Sequence, residues 1–230
     1  MSGFYREKRH KLRGYPVFGF DYEEEKHKRD EGGKWATKEG TGGGSGRYET
    51  TEEWAETLSG TEMERALFSY VGGGWADMRD LHSGRLARSP KEKEAQETSD
   101  ALDAALASAP VFPDEVFRGM HDLDEVDVDV VGTVGDTISF GSFTSTSQDE
   151  FDALQFTRSE HGDPDSHSVL FRILPGHQGA DIAEFRGDET EVLLPRNSEF
   201  KVAKRTLLEK EFEEEPNTWE IVLDPVPRSG

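Results

Sequence analysis

The chain of 230 residues has no cysteine, few apolar residues and a shortage of positive charge. Without cysteine it forms neither a disulfide nor a cysteine-ligated zinc site. Only 33% of the residues are hydrophobic, and the mean hydropathy is −0.76. No apolar run reaches the roughly 18 residues that a membrane-spanning helix needs. These absences exclude a fold held by disulfides and a membrane-spanning helix.

The charge is strongly negative, because 27 Lys and Arg residues oppose 48 Asp and Glu residues, which gives a formal net charge of −21. Such a field repels nucleic-acid backbones and anionic membranes, so we expect neither as a partner. It attracts a basic, arginine-bearing protein surface. Solubility and adaptation to salt are alternative explanations of the charge. No apolar stretch follows the basic residues between Arg6 and Arg13, so we expect no secretory signal.

The first 49 positions are poor in residues that build a core. Acidic residues 23–25 and the glycine-rich residues 42–46 are typical of a flexible linker. We therefore predict a flexible N-terminal extension over residues 1–49 and one domain over residues 50–230. Residues 26–35 are similar to a linker segment of bacteriophage head proteins and their fused domains. That resemblance implies a component of a virion or toxin assembly, acting in the virion or host cytoplasm. An ordinary polar linker is the alternative.

Helical patterns precede strand patterns along the predicted domain. Thr50 and Thr61 each begin a capping box. Apolar residues at helical spacing follow Thr61 and predict a helix, which the three glycines at residues 72–74 end. Residues 89–97 are predicted to form a loop, and Ser99 or Asp100 to cap a short helix. Short apolar or alternating runs after residue 116 predict strands. Helices followed by strands indicate an α+β fold.

Three motifs occur in a fixed order within the strand-rich part. Arg118-Gly119 follows a short apolar strand, Ser145-Thr146-Ser147 comes next, and Glu189-Thr190-Glu191 is last. Glu-x-Glu alone is uninformative in so acidic a chain, and it recurs from Glu62, Glu92 and Glu211. The copy at residues 189–191 differs because it leads directly into an apolar strand, residues 192–194. An extended backbone there directs both carboxylates at one ligand.

With this order of motifs, residues 50–225 resemble the arginine-specific mono-ADP-ribosyltransferases, including domains of bacterial binary toxins and phage-associated domains. The resemblance implies an ADP-ribosyltransferase fold, in which two small mixed or antiparallel sheets form an NAD cleft and N-terminal helices pack beside them. It implies transfer of ADP-ribose from NAD, the only cofactor expected, to an arginine of a target protein, with release of nicotinamide and without a metal.

The resemblance also assigns roles to the catalytic residues. Glu191 matches the catalytic glutamate that binds the ribose hydroxyl, and Glu189 matches the glutamate that selects arginine as acceptor. Ser145 matches the serine that orients the catalytic glutamate, with Thr146 and Ser147 completing the motif beside NAD. This set suits the chemistry, because a carboxylate stabilises the positive ribose and a second carboxylate holds the acceptor guanidinium.

The remaining matched residues bind NAD. Arg118 is the arginine that holds the dinucleotide, and the backbone of Gly119 holds the nicotinamide amide. Tyr70 matches an NAD-contacting tyrosine, and Trp75 falls where a second aromatic residue is common. Spacing alone places Phe156 or Arg158 in a loop that covers nicotinamide and phosphate. Arg79 is a departure, because many relatives have asparagine there.

Two other functions remain open at this point. An NAD glycohydrolase uses water in place of the acceptor, and a catalytically silent module binds NAD without turning it over.

Other acidic patterns have ordinary explanations. The alternating residues from His161 to His167 suit a solvated loop better than a metal site. Asp127 and Asp129 are expected on the wet face of a strand.

Removal of residues 1–49 is expected to leave the cooperative thermal unfolding transition of residues 50–230 intact, because the segment has too few apolar residues to support a core. Differential scanning calorimetry of the full and shortened chains measures this. A shortened chain without an unfolding transition would show that the segment belongs to the fold.

Overall fold

The computed structural model of this protein describes residue 48 and residues 50–123, 132–158, 167–186, 190–208 and 217–226. Its helices are α1 (Thr51–Leu58), α2 (Glu62–Ser69), α3 (Trp75–His82), α4 (Glu92–Ser108), α5 (Glu150–Gln155) and α6 (Ala183–Arg186). Its strands are β1 (Val116–Leu123), β2 (Thr137–Phe140), β3 (Thr144–Ser147), β4 (His167–Ile173), β5 (Ala180–Asp181), β6 (Glu191–Leu194), β7 (Ser198–Leu207) and β8 (Asn217–Pro225). Outside the described residues lie nearly all of the extension, Asp127, Asp129, most of the His161–His167 pattern, and Glu189.

Both predicted capping threonines are confirmed. Thr50 Oγ1 accepts the backbone N–H of Glu53, and Thr61 Oγ1 accepts that of Glu64, each at 3.2 Å. The Glu64 carboxylate reaches back to the N–H of Gly60 at 2.7 Å. The two threonine bonds satisfy N–H groups that a helix leaves without an intrahelical partner, which fixes where α1 and α2 begin.

Helix α4 begins earlier than predicted. Residues 92–97 belong to the helix and not to a loop, and Ser99 lies inside it instead of capping it. The charged residues cover its outer face, while Ala95, Ser99, Leu102 and Leu106 recur at helical spacing on the buried face. Ser99 can occupy this face because its hydroxyl hydrogen-bonds to a histidine ring.

The three glycines interrupt the helical region, as predicted, without separating α2 from α3 by a loop. Residues 70–74 form one π-helical turn in which Gly73 has a φ of 102°. That backbone conformation favours glycine. The turn redirects the chain so that Tyr70 ends one helical segment and Trp75 begins the next.

The strands form a mixed sheet in the order β2-β7-β8-β4-β1-β3-β6-β5, in which β4 and β8 are parallel. The α+β prediction is confirmed. The two predicted small sheets are joined at one point, because β1 and β3 share only the register pair Phe117 and Ser147. Five strands lie on one side of this junction and three on the other.

Two hydrophobic cores hold these layers together. One contains residues from both parts of the sheet, including Phe171 on β4 and Val192 on β6, so the two parts enclose a common core. The other lies between the three-stranded part and the helices, with Trp54, Leu67 and Leu193 among its members. These helices therefore pack beside the smaller part of the sheet, whereas α5 packs against β1 and β4, with Ala153 beside Phe117 and Leu170.

The glycine turn supplies a matched pair of substitutions. A Cβ at Gly74 would lie 2.6 Å from the Ser69 carbonyl oxygen, whereas no heavy atom lies within 4 Å of a Cβ at Gly72. We expect Gly74→Ala to lower the free energy of unfolding by about 1–3 kcal/mol. We expect Gly72→Ala to be neutral or to stabilise by up to about 1 kcal/mol. Urea denaturation compares them, and equal effects would contradict the role assigned to the turn.

Candidate active site

Arg118 lies where the two parts of the sheet separate. It follows Phe117, the last β1 residue that pairs with β3. Beyond that pair the backbones diverge, and the Arg118 guanidinium crosses the gap to donate to the Ser145 carbonyl oxygen at 2.7 Å. A guanidinium has five N–H donors in a planar fork, a geometry that suits the oxygens of a diphosphate. The local sheet geometry thus places a cation at the mouth of a cleft.

Gly119 allows helix α5 to approach β1 closely. A Cβ at this position would lie 2.0 Å from the carbonyl oxygen of Ala153 and 3.0 Å from the Cβ of Phe156. Only glycine fits such an approach of two backbones. Phe156 is therefore brought against Gly119, while Arg158 is exposed at the end of the same described segment.

The hydroxyl of Ser145 is held from the helical side. Ser145 Oγ lies 2.9 Å from the hydroxyl of Tyr70, which is 5% exposed at the start of the glycine turn. The edge of the Tyr70 ring contacts Phe143, two residues before Ser145, with centroids 6.3 Å apart. The structure thus brings together two predicted site residues that are 75 positions apart in the sequence.

Glu191 is the first residue of β6 and is only 5% exposed. It lies opposite Ser147, and Ser145 lies opposite Leu193. Residues two apart on a strand share a face, so Ser145 and Glu191 are diagonal neighbours on the helix-facing side of the sheet. The Glu191 carbonyl oxygen also accepts the N–H of Ile182 at 3.0 Å. Burial of a carboxylate is costly, which marks this position as a candidate for function.

The other two residues of the Ser-Thr-Ser motif make structural contacts. Thr146 is buried, and its hydroxyl donates to the Val192 carbonyl oxygen at 2.6 Å, on the opposite face from Ser145. Ser147 Oγ accepts the N–H of Asp149 at 3.0 Å and lies 3.4 Å from Thr190 Oγ1. Both contacts fix the strands that carry the motif and Glu191.

Trp75 lies at the start of α3 and packs partly buried against the helical core. The Arg79 guanidinium lies over its ring, 5.1 Å from the centroid. This geometry is that of a cation–π contact. Arg79, where many relatives have asparagine, thus contacts Trp75 one helical turn earlier.

The motif-based predictions missed Gln148 and Asp181. Gln148 donates from Nε2 to Asp181 Oδ2 at 3.0 Å, and its backbone N–H donates to the Thr190 carbonyl oxygen at 2.9 Å. The other Asp181 oxygen accepts the N–H of Ala183 at 2.9 Å. Burial raises the pKa of Asp181, and the hydrogen bonds that its carboxylate accepts from Ala183 and Gln148 oppose that change. The position of Gln148 directly after the serine motif was the available signal.

Two histidines, buried His177 and half-buried His82, were also missed. His177 accepts the N–H of Gly179 at Nδ1 and bonds to the Asp114 carbonyl oxygen through Nε2, both at 3.0 Å. Burial lowers the pKa of His177, and the Asp114 bond opposes that change. His82, at the end of α3, lies between two serine hydroxyls. No spacing pattern in the sequence marks either residue.

No group of three or more metal-ligating side chains occurs within the described ranges. The polar groups present are guanidinium and hydroxyl donors and a carboxylate acceptor, which suit a dinucleotide and its ribose. Among the helices whose residues are described, none is long and apolar enough to cross a membrane.

Comparisons with known proteins identify the family and the fold. A sequence model of the ADP-ribosyltransferase exoenzyme family matches residues 47–225, and the chain therefore belongs to that family. A search of curated proteins gives no match. Membership in the family defines an NAD-dependent ADP-ribosyltransferase with an α+β fold.

Solved structures share the fold. The ADP-ribosyltransferase Vis of Vibrio splendidus, in complex with agmatine, has a TM-score of 0.61 and 19% identity over 78% of this chain and 87% of Vis. The enzymatic component C2-I of the Clostridium botulinum C2 toxin has a TM-score of 0.56 and 20% identity over 76% of this chain and 46% of C2-I. The C3 exoenzyme of Clostridium limosum has a TM-score of 0.52 and 14% identity over 76% of this chain and 90% of the exoenzyme.

Proposed function

We propose that this protein transfers ADP-ribose from NAD to the arginine side chains of a target protein, with Glu191 as the catalytic carboxylate. The observation that supports this most directly is the placement of Glu191. Its buried side chain lies on the same face as Ser145, whose backbone is bonded by the Arg118 guanidinium. The residues that carry a carboxylate, a hydroxyl and a cation are thus neighbours in the sheet next to its junction.

Glu191 acts on the ribose. Its negative charge stabilises the positive charge that develops on the sugar as the bond to nicotinamide breaks, and it accepts a hydrogen bond from the 2′-hydroxyl. A site that excludes water strengthens this interaction. The Ser145–Tyr70 pair, at 2.9 Å, restrains the strand opposite Glu191 and so limits the motion of the site.

Arg118 and Gly119 hold the dinucleotide. The guanidinium donors of Arg118 bind a diphosphate oxygen pair better than a lysine would, because the planar fork matches the two oxygens. The backbone of Gly119, one residue beyond Arg118 on β1, binds an amide group of the ligand. Phe156, whose Cβ lies beside Gly119, is the aromatic residue proposed to contact the nicotinamide.

Glu189 acts on the acceptor. It lies two positions before Glu191 in the sequence. Its carboxylate orients an arginine guanidinium and takes up a proton as the nitrogen attacks. The ribose–nicotinamide bond breaks, a ribose–guanidinium bond forms, nicotinamide leaves as a neutral molecule, and one proton is released. Vis is similar in fold and has been crystallised with agmatine, which carries the guanidinium of arginine. Agmatine is therefore the acceptor of choice for tests.

Glu191→Gln is expected to reduce nicotinamide release by roughly 10²–10⁴-fold both with and without agmatine, because the isostere keeps the shape and loses the charge. Its affinity for NAD should change little. Steady-state assays and calorimetry measure the two quantities. A variant that keeps more than about a tenth of the wild-type turnover would remove Glu191 from the catalytic role.

Glu189→Gln is expected to separate the two activities. Transfer to agmatine should fall by roughly 10²-fold or more, while hydrolysis of NAD by water is retained, because water needs little help against a positive ribose. Assays of nicotinamide release with and without agmatine distinguish them, with Glu191→Gln as the matched control that loses both. Equal loss of both activities in Glu189→Gln would contradict arginine specificity.

A further inference from the structure

His82 joins three elements beside the active site. It is the last residue of α3, and its ring nitrogens each lie 2.9 Å from a serine hydroxyl. Nδ1 contacts Ser142, two residues before β3, and Nε2 contacts Ser99, which is fully buried in α4. A buried hydroxyl without a partner is costly, so each serine depends on the ring.

The contacts of His82 continue to the serine motif. The His82 ring packs against Phe143 with centroids 5.5 Å apart, and Phe143 contacts the Tyr70 ring. Tyr70 in turn hydrogen-bonds Ser145. Ser142, Phe143 and Ser145 are nearly consecutive, so a ring that holds the first two also determines where the third lies.

We propose that His82 is a positioning residue, which holds the residues leading into β3 against α3 and α4 and thereby fixes Ser145 beside Glu191. The proposal rests on the proposed function for its effect on catalysis. Loss of the ring leaves two buried serine hydroxyls to find new partners, and the 142–145 segment shifts in doing so. Displacement of this segment changes the position of Ser145 relative to Glu191 more than it changes the affinity for NAD.

Acid sensitivity follows from this arrangement. A neutral ring donates to one serine and accepts from the other, whereas a protonated ring must donate to both. Burial lowers the pKa of His82; the positive charge of Arg196, on the turn after β6, lowers it further, and Asp103 on α4 opposes the change. The unfolded chain therefore binds more protons as the pH falls below about 6.5, so this contribution to stability is complete above that value and is lost below it.

The test compares wild type with His82→Gln, Ser142→Ala and their double variant. We expect His82→Gln to lower kcat for nicotinamide release by roughly ten- to hundredfold near pH 7.5 while KM for NAD stays within about twofold. Wild type should lose activity as the pH falls through the pKa of folded His82, which burial holds below the ordinary histidine value, and His82→Gln should lack that decline. The double variant should be no worse than the poorer single variant, because the two residues act as one unit.

His177→Gln is the matched control, because His177, like His82, is bonded through both ring nitrogens. It should keep the acid decline and the wild-type kcat. Hydrogen exchange of residues 142–147, measured without NAD, should be faster in His82→Gln than in His177→Gln. Unchanged exchange in that segment, additive effects of the two substitutions, or an acid decline that persists in His82→Gln would overturn the proposal. Absence of nicotinamide release in wild type would instead overturn the proposed function.

Discussion

The pairing of Phe117 with Ser147 is the constraint on which the site depends. It is the one register pair between β1 and β3 in the described part of the sheet, and it joins five strands to three. Longer pairing would close the gap that Arg118 spans. Without any pairing, the two sides of the site would not be held at a fixed distance. One shared pair keeps the sheet continuous and leaves an opening for a ligand.

Buried polar groups around this junction are arranged in a connected set. Thr146 bonds to β6, Ser145 bonds to Tyr70, and the Ser99 hydroxyl bonds to His82. Each buried hydroxyl would be costly without its partner, so the contacts specify one arrangement of helices against strands. The largely buried Glu191 thus lies in a well-defined setting, which suits the role proposed for its carboxylate, since that role requires charge at a defined place.

Close backbone approaches explain why particular glycines occur where they do. Gly119 admits the carbonyl oxygen of Ala153, and Gly74 admits that of Ser69. Both positions adjoin proposed site residues, Arg118 in one case and Trp75 in the other. The glycines therefore set the positions of functional side chains by the space they leave, and any Cβ at either place would move an element of the site.

The sequence by itself determined the α+β class, the capping residues Thr50 and Thr61, and the order of the three motifs, because these depend on local periodicity and residue type. It also predicted which strand carries Glu191. It did not predict that α4 begins at Glu92, because the charged residues there resemble a loop until their buried neighbours are known. Only the tertiary structure brought Tyr70 to Ser145 and His82 to Ser99 and Ser142. Those contacts link positions far apart in the chain. They form because buried polar groups need hydrogen-bond partners, and no local sequence pattern shows which partners they find.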